Sequence, residues 1–218
     1  DLHVMYRTDD DNVYALNGVD ISVEKGKTLG LVGETGAGKT TLALSILRLL
    51  PDRVGFVTQG DIKMNGVELL KLSEPDMRLL RGNDISMIFQ DPMTSLNPIH
   101  TVGDHIALHN EHADRDFIEK KVDEMMEMVG IPAIRKSEYP HQFSGGMKQR
   151  IVIAIALACN PKLLLADEPT TALDVTVQAE IIDLLRSLQK SRGASTVMIT
   201  HDLGLVAGMA QRIAVMYA

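Results

Sequence analysis

The segment Gly33-Glu-Thr-Gly-Ala-Gly-Lys-Thr40 is the strongest indication of the fold in this chain. It matches the pattern G-x-x-x-x-G-K-[ST], in which glycines let the backbone curl so that its N–H groups point at phosphate oxygens. An apolar run at residues 28–32 precedes it, and a helical pattern at residues 39–50 follows it and stops at Pro51. The pattern requires this strand–loop–helix context, so the stretch predicts a phosphate-binding loop.

Two side chains of the loop have predicted roles in phosphate chemistry. Lys39 supplies a positive charge for the β- and γ-phosphates, and Thr40 supplies a hydroxyl for Mg²⁺. The helix that begins at Lys39 adds the positive end of its dipole. We therefore expect a nucleotide with Mg²⁺ to bind here. The cofactor-binding residues of the loop are predicted to be Gly33, Glu34, Thr35, Gly36, Ala37, Gly38, Lys39, Thr40 and Thr41.

An apolar strand that ends in two acids predicts the second half of the site. Leu163-Leu-Leu-Ala-Asp167 is followed directly by Glu168. Open α/β sheets bind ligands at the carboxyl ends of their strands. We expect Asp167 to hold Mg²⁺ through its water shell and Glu168 to orient or deprotonate an attacking water. The alternative is an ordinary acidic pair at the end of a surface strand.

Two further strand ends carry polar side chains that suit the same site. His201 follows the strand at residues 196–200 and could bind the γ-phosphate or the attacking water, or simply cap its strand. Gln90 follows the strand at residues 85–89, where its amide could ligate Mg²⁺. The predicted catalytic residues are Glu168, His201, Gln90 and Lys39, and the predicted metal ligands are Thr40, Gln90 and Asp167.

The order of elements along the chain predicts an α/β fold. Strands that alternate with long helices indicate a mainly parallel sheet covered by helices. Short alternating runs in residues 55–89 indicate a small antiparallel β section, and residues 101–129 have a helical pattern. We expect one domain over residues 1–218. Its core and β section would lie at about 1–90 and 141–218, and a helical subdomain at about 91–140.

Composition limits the classes of partner. The 218 residues include 22 basic and 29 acidic side chains, for a formal net charge of −7, which argues against a nucleic-acid backbone as the main partner. The single cysteine, Cys159, excludes a disulfide framework within this chain and fits a reducing compartment. The longest apolar run, residues 151–159, is about half of what a membrane span needs. We expect, at most, docking on a membrane protein.

The segment Phe143-Ser-Gly-Gly-Met147 resembles the signature motif of ATP-binding cassette (ABC) ATPases, which is usually Leu-Ser-Gly-Gly-Gln. Ser144 followed by two glycines predicts a helix start, a second anion-binding N-terminus in one chain, unless it is only an ordinary helix cap. In the ABC family the signature of one subunit completes the ATP site of the other. The resemblance therefore implies two ATP molecules held head to tail between two subunits, and cofactor-binding roles for Ser144, Gly145 and Gly146.

The resemblance also assigns roles to residues already selected by their chemistry. It makes the phosphate loop the Walker A motif, Asp167 and Glu168 the Walker B aspartate and the catalytic glutamate, Gln90 the Q-loop and His201 the switch histidine. The order of motifs matches the family over the whole chain.

Two further positions follow from the resemblance. Thr171-Ala-Leu-Asp174 matches the D-loop, which adds Asp174 to the cofactor-binding residues. Tyr6 is the expected adenine-stacking aromatic, with Tyr14 as the alternative. The departures are modest, because Ala37 replaces a serine and Met147 a glutamine.

Residues 87–98 and 158–178 resemble the ABC subgroup that serves oligopeptide, dipeptide and nickel importers. This implies ATP hydrolysis coupled to solute import at the cytoplasmic face of the cell membrane. The implied partners are two transmembrane permease subunits, a second ATP-binding subunit (identical or related) and, indirectly, a solute-binding protein that selects the solute. Family members continue past a strand like that at residues 213–217 into an extension, in some with cysteines for an iron–sulfur cluster. We expect that extension to be absent from this chain.

Two other functions compete with solute import. One is a non-transport ABC ATPase that acts on nucleic acid or ribosomes. The DNA-repair type needs a long coiled coil, for which the roughly 50 residues between Gln90 and Ser144 leave no room. The other is nucleotide binding as a purely structural switch, which the presence of Glu168 and His201 disfavours.

Weaker patterns lie in the helical insert. His105, His109 and His112 fall on one helical face and could bind a divalent metal, although we favour a solvated histidine-rich face. The methionines at 125, 126 and 128 suit either core packing or a soft docking surface. Residues 92–108 are the expected docking stretch for the membrane subunits.

Overall fold

The computed structural model describes residues 1–8, 11–107, 114–171 and 173–217. Its strands are β1 (Leu2–Arg7), β2 (Asn12–Val19), β3 (Thr28–Gly33), β4 (Gly55–Gln59), β5 (Lys63–Met64), β6 (Val67–Glu68), β7 (Ile85–Ile88), β8 (Leu163–Asp167), β9 (Ser195–Thr200) and β10 (Arg212–Met216). Its α-helices are α1 (Lys39–Leu47), α2 (Glu74–Leu80), α3 (Pro92–Ser95), α4 (Val102–Ala107), α5 (Arg115–Met128), α6 (Gly145–Leu157), α7 (Val175–Arg192) and α8 (Leu203–Ala207).

The main sheet is parallel throughout, as the sequence predicts. Its strand order is β10-β3-β9-β8-β7, and every neighbouring pair runs in the same direction. β8 and β9 are almost wholly buried, as expected for strands covered on both faces. Because the strands are parallel, the residues that follow β3, β7, β8 and β9 meet at one edge of the sheet.

The antiparallel β section exists, but its strands come from two parts of the chain. Its order is β2-β1-β4, so only β4 belongs to the predicted range 55–89. β5 and β6 form a separate hairpin around Asn65 and Gly66, and β7 joins the parallel sheet. Periodicity cannot show this assignment, because pairing with the N-terminal strands is a long-range contact.

Two helices differ from the prediction, one in its existence and one in its length. α2 was not predicted, although the hydroxyl of Ser73 accepts a hydrogen bond from the Asp76 N–H at 3.3 Å, an ordinary helix cap. α1 ends at Leu47, three residues before the predicted end, because Arg48 adopts a left-handed conformation with φ of 52°. The Arg81 side chain donates to the carbonyls of Leu47 and Arg48, which satisfies this helix end.

The helical pattern at 101–129 becomes α4 and α5, and residues 108–113 lie outside the described part of the chain. Met125 and Met126 are fully buried in the larger hydrophobic cluster, which also includes residues of α4, α6 and α7. The core-packing interpretation is therefore confirmed for these two methionines.

The remaining boundaries agree closely with prediction. α7 spans the predicted residues and is closed by Gly193 at φ of 66°. β8, β9 and β10 each lie within one residue of the predicted bounds. In the ranges that the structure covers, each helix is too short or too polar to cross a lipid bilayer.

Candidate active site

Backbone packing explains why the phosphate loop needs its glycines. A Cβ atom on Gly33 would lie 2.1 Å from the carbonyl oxygen of Met216, and one on Gly38 would lie 2.4 Å from that of Ala15. Gly38 also has φ of 86° and is the cap residue at which α1 begins. The loop thus passes directly from buried strand β3 into the N-terminus of α1, as the motif predicts.

The side chain of Lys39 folds back across the loop. Its Nζ donates hydrogen bonds to the carbonyl oxygens of Gly33 at 2.8 Å and Glu34 at 2.7 Å. Only 6% of Lys39 is exposed. The ammonium charge is therefore held at the mouth of the loop, beside the N-terminus of α1, where phosphate oxygens are attracted.

Asp167, which is buried, and Thr40, which is exposed, form an oxygen pair next to this loop. Asp167 is the last residue of β8, is 2% exposed, and is hydrogen-bonded to the Thr40 side chain. Burial raises the pKa of Asp167 above its ordinary value, and the nearby charge of Glu168 raises it further, against the opposing effects of Thr40 and Lys39. A carboxylate and a hydroxyl are the hard oxygen ligands that Mg²⁺ prefers, so the residues present fit this ion.

Replacing Asp167 with asparagine is expected to stabilise the protein at neutral pH when no nucleotide is added. With its pKa raised in the folded state, Asp167 makes the protein less stable as the pH rises through that pKa, and asparagine removes this cost. The melting temperature should rise by about 2–4 °C for each kcal/mol relieved, whereas the extra stabilisation by ATP with Mg²⁺ should shrink. The matched control is Asp183→Asn, because that carboxylate is 71% exposed. A melting temperature below that of the wild type for Asp167→Asn at neutral pH would contradict the expectation.

Glu168 lies at the centre of the predicted catalytic residues. Its carboxylate accepts hydrogen bonds from Gln90 Nε2 and Thr171 Oγ1, each at 2.9 Å, and its Oε1 lies 3.2 Å from His201 Nδ1. The side chain is only 15% exposed, whereas that of His201 is 62% exposed. The structure thus brings Gln90, Glu168 and His201 together, beside Asp167.

The backbone of Glu168 is held in an unusual conformation. Its φ of 46° is left-handed, which costs a non-glycine residue about 1–2 kcal/mol. Its N–H donates to the Ile199 carbonyl at 2.9 Å, which fixes the residue against β9. Surrounding contacts therefore impose this position on the carboxylate, as is common at functional sites.

The charge state of Glu168 suits a proton acceptor. Burial by itself would raise its pKa, but hydrogen bonds from His201 and Thr171, together with the electrostatic effects of His201 and Lys39, outweigh burial and lower the pKa below its ordinary value. Glu168 is therefore ionised at neutral pH and can accept a hydrogen bond from a water molecule.

Sequence reasoning missed Thr171 as a partner of Glu168. The motif match placed Thr171 in the D-loop and gave it no role. A tight turn makes the contact possible, since the Thr171 N–H also donates to the Glu168 carbonyl at 3.1 Å. The spacing of three residues after an acid, a common turn spacing, was the available signal.

The signature segment has the predicted helix start. Ser144 caps α6 and accepts from the Met147 N–H at 3.4 Å, and both Ser144 and Gly145 are exposed. A Cβ atom on Gly146 would lie 2.6 Å from Cγ1 of Val177, so this glycine allows α6 to pack closely on α7. Asp174 likewise caps its own helix, accepting from the Val177 N–H at 3.0 Å. Ala172 of the D-loop lies outside the described residues.

The two tyrosine candidates occupy different surroundings. The Tyr6 hydroxyl is 3.2 Å from the Thr41 hydroxyl, so Tyr6 lies next to the phosphate loop. Tyr14 is 65% exposed on β2. The geometry favours Tyr6, and its adenine-stacking role stays a prediction.

The favoured interpretation of the histidine face is wrong for His105. This residue is 7% exposed, and its Nε2 lies 3.0 Å from the Asn97 carbonyl oxygen, so it packs inward instead of facing solvent. α4 turns this side chain into the core, which periodicity alone did not reveal. His109 and His112 lie outside the described residues. Among the residues that are described, no group of three or more His, Cys, Asp or Glu side chains could hold a metal ion.

Together the fold and this site define a nucleotide-binding domain of the ATP-binding cassette class. A family model described as ABC transporter matches residues 16–171, and the chain belongs to that family. It is therefore an ATP-binding cassette ATPase, and the resemblance seen in the sequence is confirmed.

Several relatives resemble the chain over its whole length. A putative peptide import ATP-binding protein of Brucella melitensis biotype 1 is 50% identical over 228 residues, which cover 100% of this chain and 67% of the relative. The oligopeptide transport ATP-binding protein OppD of Bacillus subtilis is 49% identical, with 100% of this chain and 62% of the relative covered. The dipeptide transport ATP-binding protein DppD of the same organism is 50% identical, with 100% and 66% covered. The chain thus spans about two thirds of the length of these relatives.

A solved structure confirms the fold. The ATP-binding cassette MJ0796, described as a dimer in a post-hydrolysis state with ADP and Pi, matches with a TM-score of 0.85 and 28% identity. The match covers 99% of this chain and 91% of that chain.

Proposed function

We propose that this chain is the ATP-hydrolysing subunit that powers import of oligopeptides or dipeptides through partner membrane subunits. The observation that carries the ATPase part is the Glu168 carboxylate, which accepts hydrogen bonds from Gln90, Thr171 and His201 at the edge where the phosphate loop opens. The names of the relatives, which are peptide transport proteins, support the solute class and favour transport over action on nucleic acid or ribosomes.

Each side chain of the site has a proposed role in hydrolysis. Lys39 and the loop N–H groups bind the phosphates, and the ionised Glu168 orients the attacking water and accepts its proton. Gln90 and His201 hold Glu168 in place and can also donate hydrogen bonds to the water or the γ-phosphate. Thr40, Asp167 and Gln90 would hold Mg²⁺, which supplies positive charge against the phosphates.

The second half of each ATP site is proposed to come from another subunit. Ser144, Gly145, Gly146 and Asp174 are exposed or half-buried, and Ser144 and Asp174 cap their own helices. This leaves the signature helix N-terminus facing outward, where it can bind the phosphates of a nucleotide on an identical or related partner. The adenine would stack on Tyr6 of the subunit whose loop binds the phosphates. The dimer reported for MJ0796 supports this arrangement.

A groove beside Gln90 is the proposed docking site for the membrane subunits. A cavity of about 240 Å³ lies between β7, α3 and α6, and its lining includes Phe89, Ser95, Val152 and Ala156. Phe89 directly precedes Gln90 in the chain, so a segment docked here would lie next to a partner of Glu168. The helical section at about 91–140 would contribute Ser95 to this surface, at the start of the expected docking stretch 92–108. The chain would then lie at the cytoplasmic face of the membrane, with a solute-binding protein contributing only indirectly.

Reconstitution tests this function. The full-length protein, assembled with its permease subunits in proteoliposomes, should show ATPase activity that increases several-fold when the solute-binding protein and a peptide are added. Glu168→Gln complexes serve as the inactive control. Stimulation by DNA or RNA, with no response to peptides, would contradict the proposal.

A further inference from the structure

The signature segment, residues 143–147, forms the start of α6, with Ser144 as its cap and the two glycines in its first turn. Ser144 is exposed and is followed by two glycines, which have no side chains to pack. Glycine also has the largest conformational freedom in the backbone. The large side chains of the segment are at its two ends, Phe143 and Met147, so contacts to these two help to hold the start of α6 in place.

One side chain, Arg135, contacts both ends. Its guanidinium carbon lies 4.2 Å from the centroid of the Phe143 ring, which is itself 5% exposed. Its Nη1 lies 3.6 Å from the Met147 sulfur. A guanidinium is attracted both by the face of an aromatic ring and by a polarisable thioether. Arg135 therefore joins the residue before the serine to the residue after the glycines.

Arg135 is itself held in place. Its Nε donates to Glu138 Oε1 at 2.9 Å and its Nη2 to Glu138 Oε2 at 2.6 Å, a two-pronged ion pair. Its Nη2 also lies 3.4 Å from the Gln142 carbonyl oxygen. The side chains of Arg135 and Glu138 are 28% and 29% exposed. Hydrogen bonds from Arg135 lower the pKa of the Glu138 carboxyl, so the pair stays ionised at neutral pH.

These contacts involve the two positions at which the signature departs from its usual form. Phenylalanine stands in place of leucine, and methionine in place of glutamine. Both replacements give the guanidinium a partner: the aromatic ring of Phe143 and the sulfur of Met147. A lysine could not repeat this arrangement, because its ammonium is a point charge without a planar fork.

We propose that Arg135 is a positioning residue of the ATPase, which sets the shape of residues 144–146 through Phe143 and Met147 and so fixes how the signature meets the nucleotide of the partner subunit. The inference rests on the proposed function, because the shape of this turn matters for catalysis only if it reaches a second ATP site. Misplacement of a reacting group by about 1 Å costs up to roughly 100-fold in rate.

Arg135→Met is expected to slow ATP hydrolysis by the assembled transporter while leaving ATP binding at the phosphate loop unchanged. In the full-length complex, kcat for ATP hydrolysis should fall by at least about tenfold. The affinity of the separate full-length subunit for a fluorescent ATP analogue should be unchanged, because Arg135 is not part of the phosphate loop. Arg135→Lys should behave like Arg135→Met. The matched control is Arg115→Met, because Arg115 is 90% exposed on α5 and pairs only loosely with Glu119, at 3.6 Å.

A second readout follows the dimer directly. In a Glu168→Gln background, ATP should trap a pair of subunits, and Arg135→Met should shorten the lifetime of that pair. Phe143→Leu should reduce the further effect of Arg135→Met, since residues in contact do not act additively. Additive effects of the two substitutions would overturn the proposal.

Other results separate the inference from the function on which it rests. A kcat and a dimer lifetime equal to wild type in Arg135→Met would overturn the inference alone. A fall in melting temperature and ATP affinity that matches the loss of kcat would show a merely structural role and would also overturn it. Peptides could fail to stimulate the wild-type complex while Glu168→Gln subunits still form an ATP-bound pair. That result would contradict the proposed solute class, and the lifetime of the pair would still test Arg135.

Discussion

Replacing Glu168 with glutamine should lower kcat for ATP hydrolysis by about 10²–10⁴-fold while ATP remains bound. Glutamine has nearly the same shape and can still accept a hydrogen bond from Thr171, so the turn should be preserved. Its amide, however, cannot take a proton from the attacking water. Single-turnover hydrolysis and equilibrium ATP binding, measured on the same preparation, give the two halves of this expectation.

The same substitution should also leave two subunits closed on ATP, because reopening follows hydrolysis. Size-exclusion chromatography with ATP and Mg²⁺ should show the pair in Glu168→Gln and mainly single subunits after turnover in the wild type. Glu124→Gln is the matched control, since Glu124 is exposed on α5. Hydrolysis at the wild-type rate in Glu168→Gln would show that Glu168 is not the proton acceptor.

Replacing Lys39 with alanine should weaken ATP binding by roughly 10–150-fold. Hydrogen bonds to charged groups contribute about 1.5–3 kcal/mol, and about 1.4 kcal/mol corresponds to a factor of ten in Kd. The variant also loses the two bonds from Nζ to the carbonyls of Gly33 and Glu34, so the loop should become less ordered. Titration calorimetry with ATP measures the first effect, and hydrogen exchange of the loop amides measures the second.

Lys190→Ala separates the loss of this site from a general loss of positive charge, because Lys190 is an exposed residue in the last turn of α7. We expect its ATP affinity to equal that of the wild type. An unchanged Kd for Lys39→Ala would mean that the ammonium does not contact the phosphates.

Much of the site was predictable because its chemistry is local. The phosphate loop could be identified from eight consecutive residues and the elements on either side of them. Asp167, His201 and Gln90 were selected because each follows a short apolar run, and the parallel sheet does place these strand ends at one edge.

The failures have a common physical cause. His105 was expected to face solvent, and α1 was expected to continue to residue 50, yet in each case a contact from elsewhere in the chain decided the outcome. The Asn97 carbonyl and the surrounding core hold His105 inside, and Arg81 satisfies the carbonyls where α1 stops. Helical periodicity contains no information about such partners.

For this protein, the sequence alone determined the phosphate loop, the order of the motifs and the parallel sheet, because glycines, buried strands and helix caps act over a few residues. The tertiary structure decided that Glu168 is held by Gln90 and His201, and that Arg135 joins the two ends of the signature segment. Hydrogen bonds and ring contacts act only over a few ångströms, so they exist only where the packing of strands and helices brings distant residues within that distance.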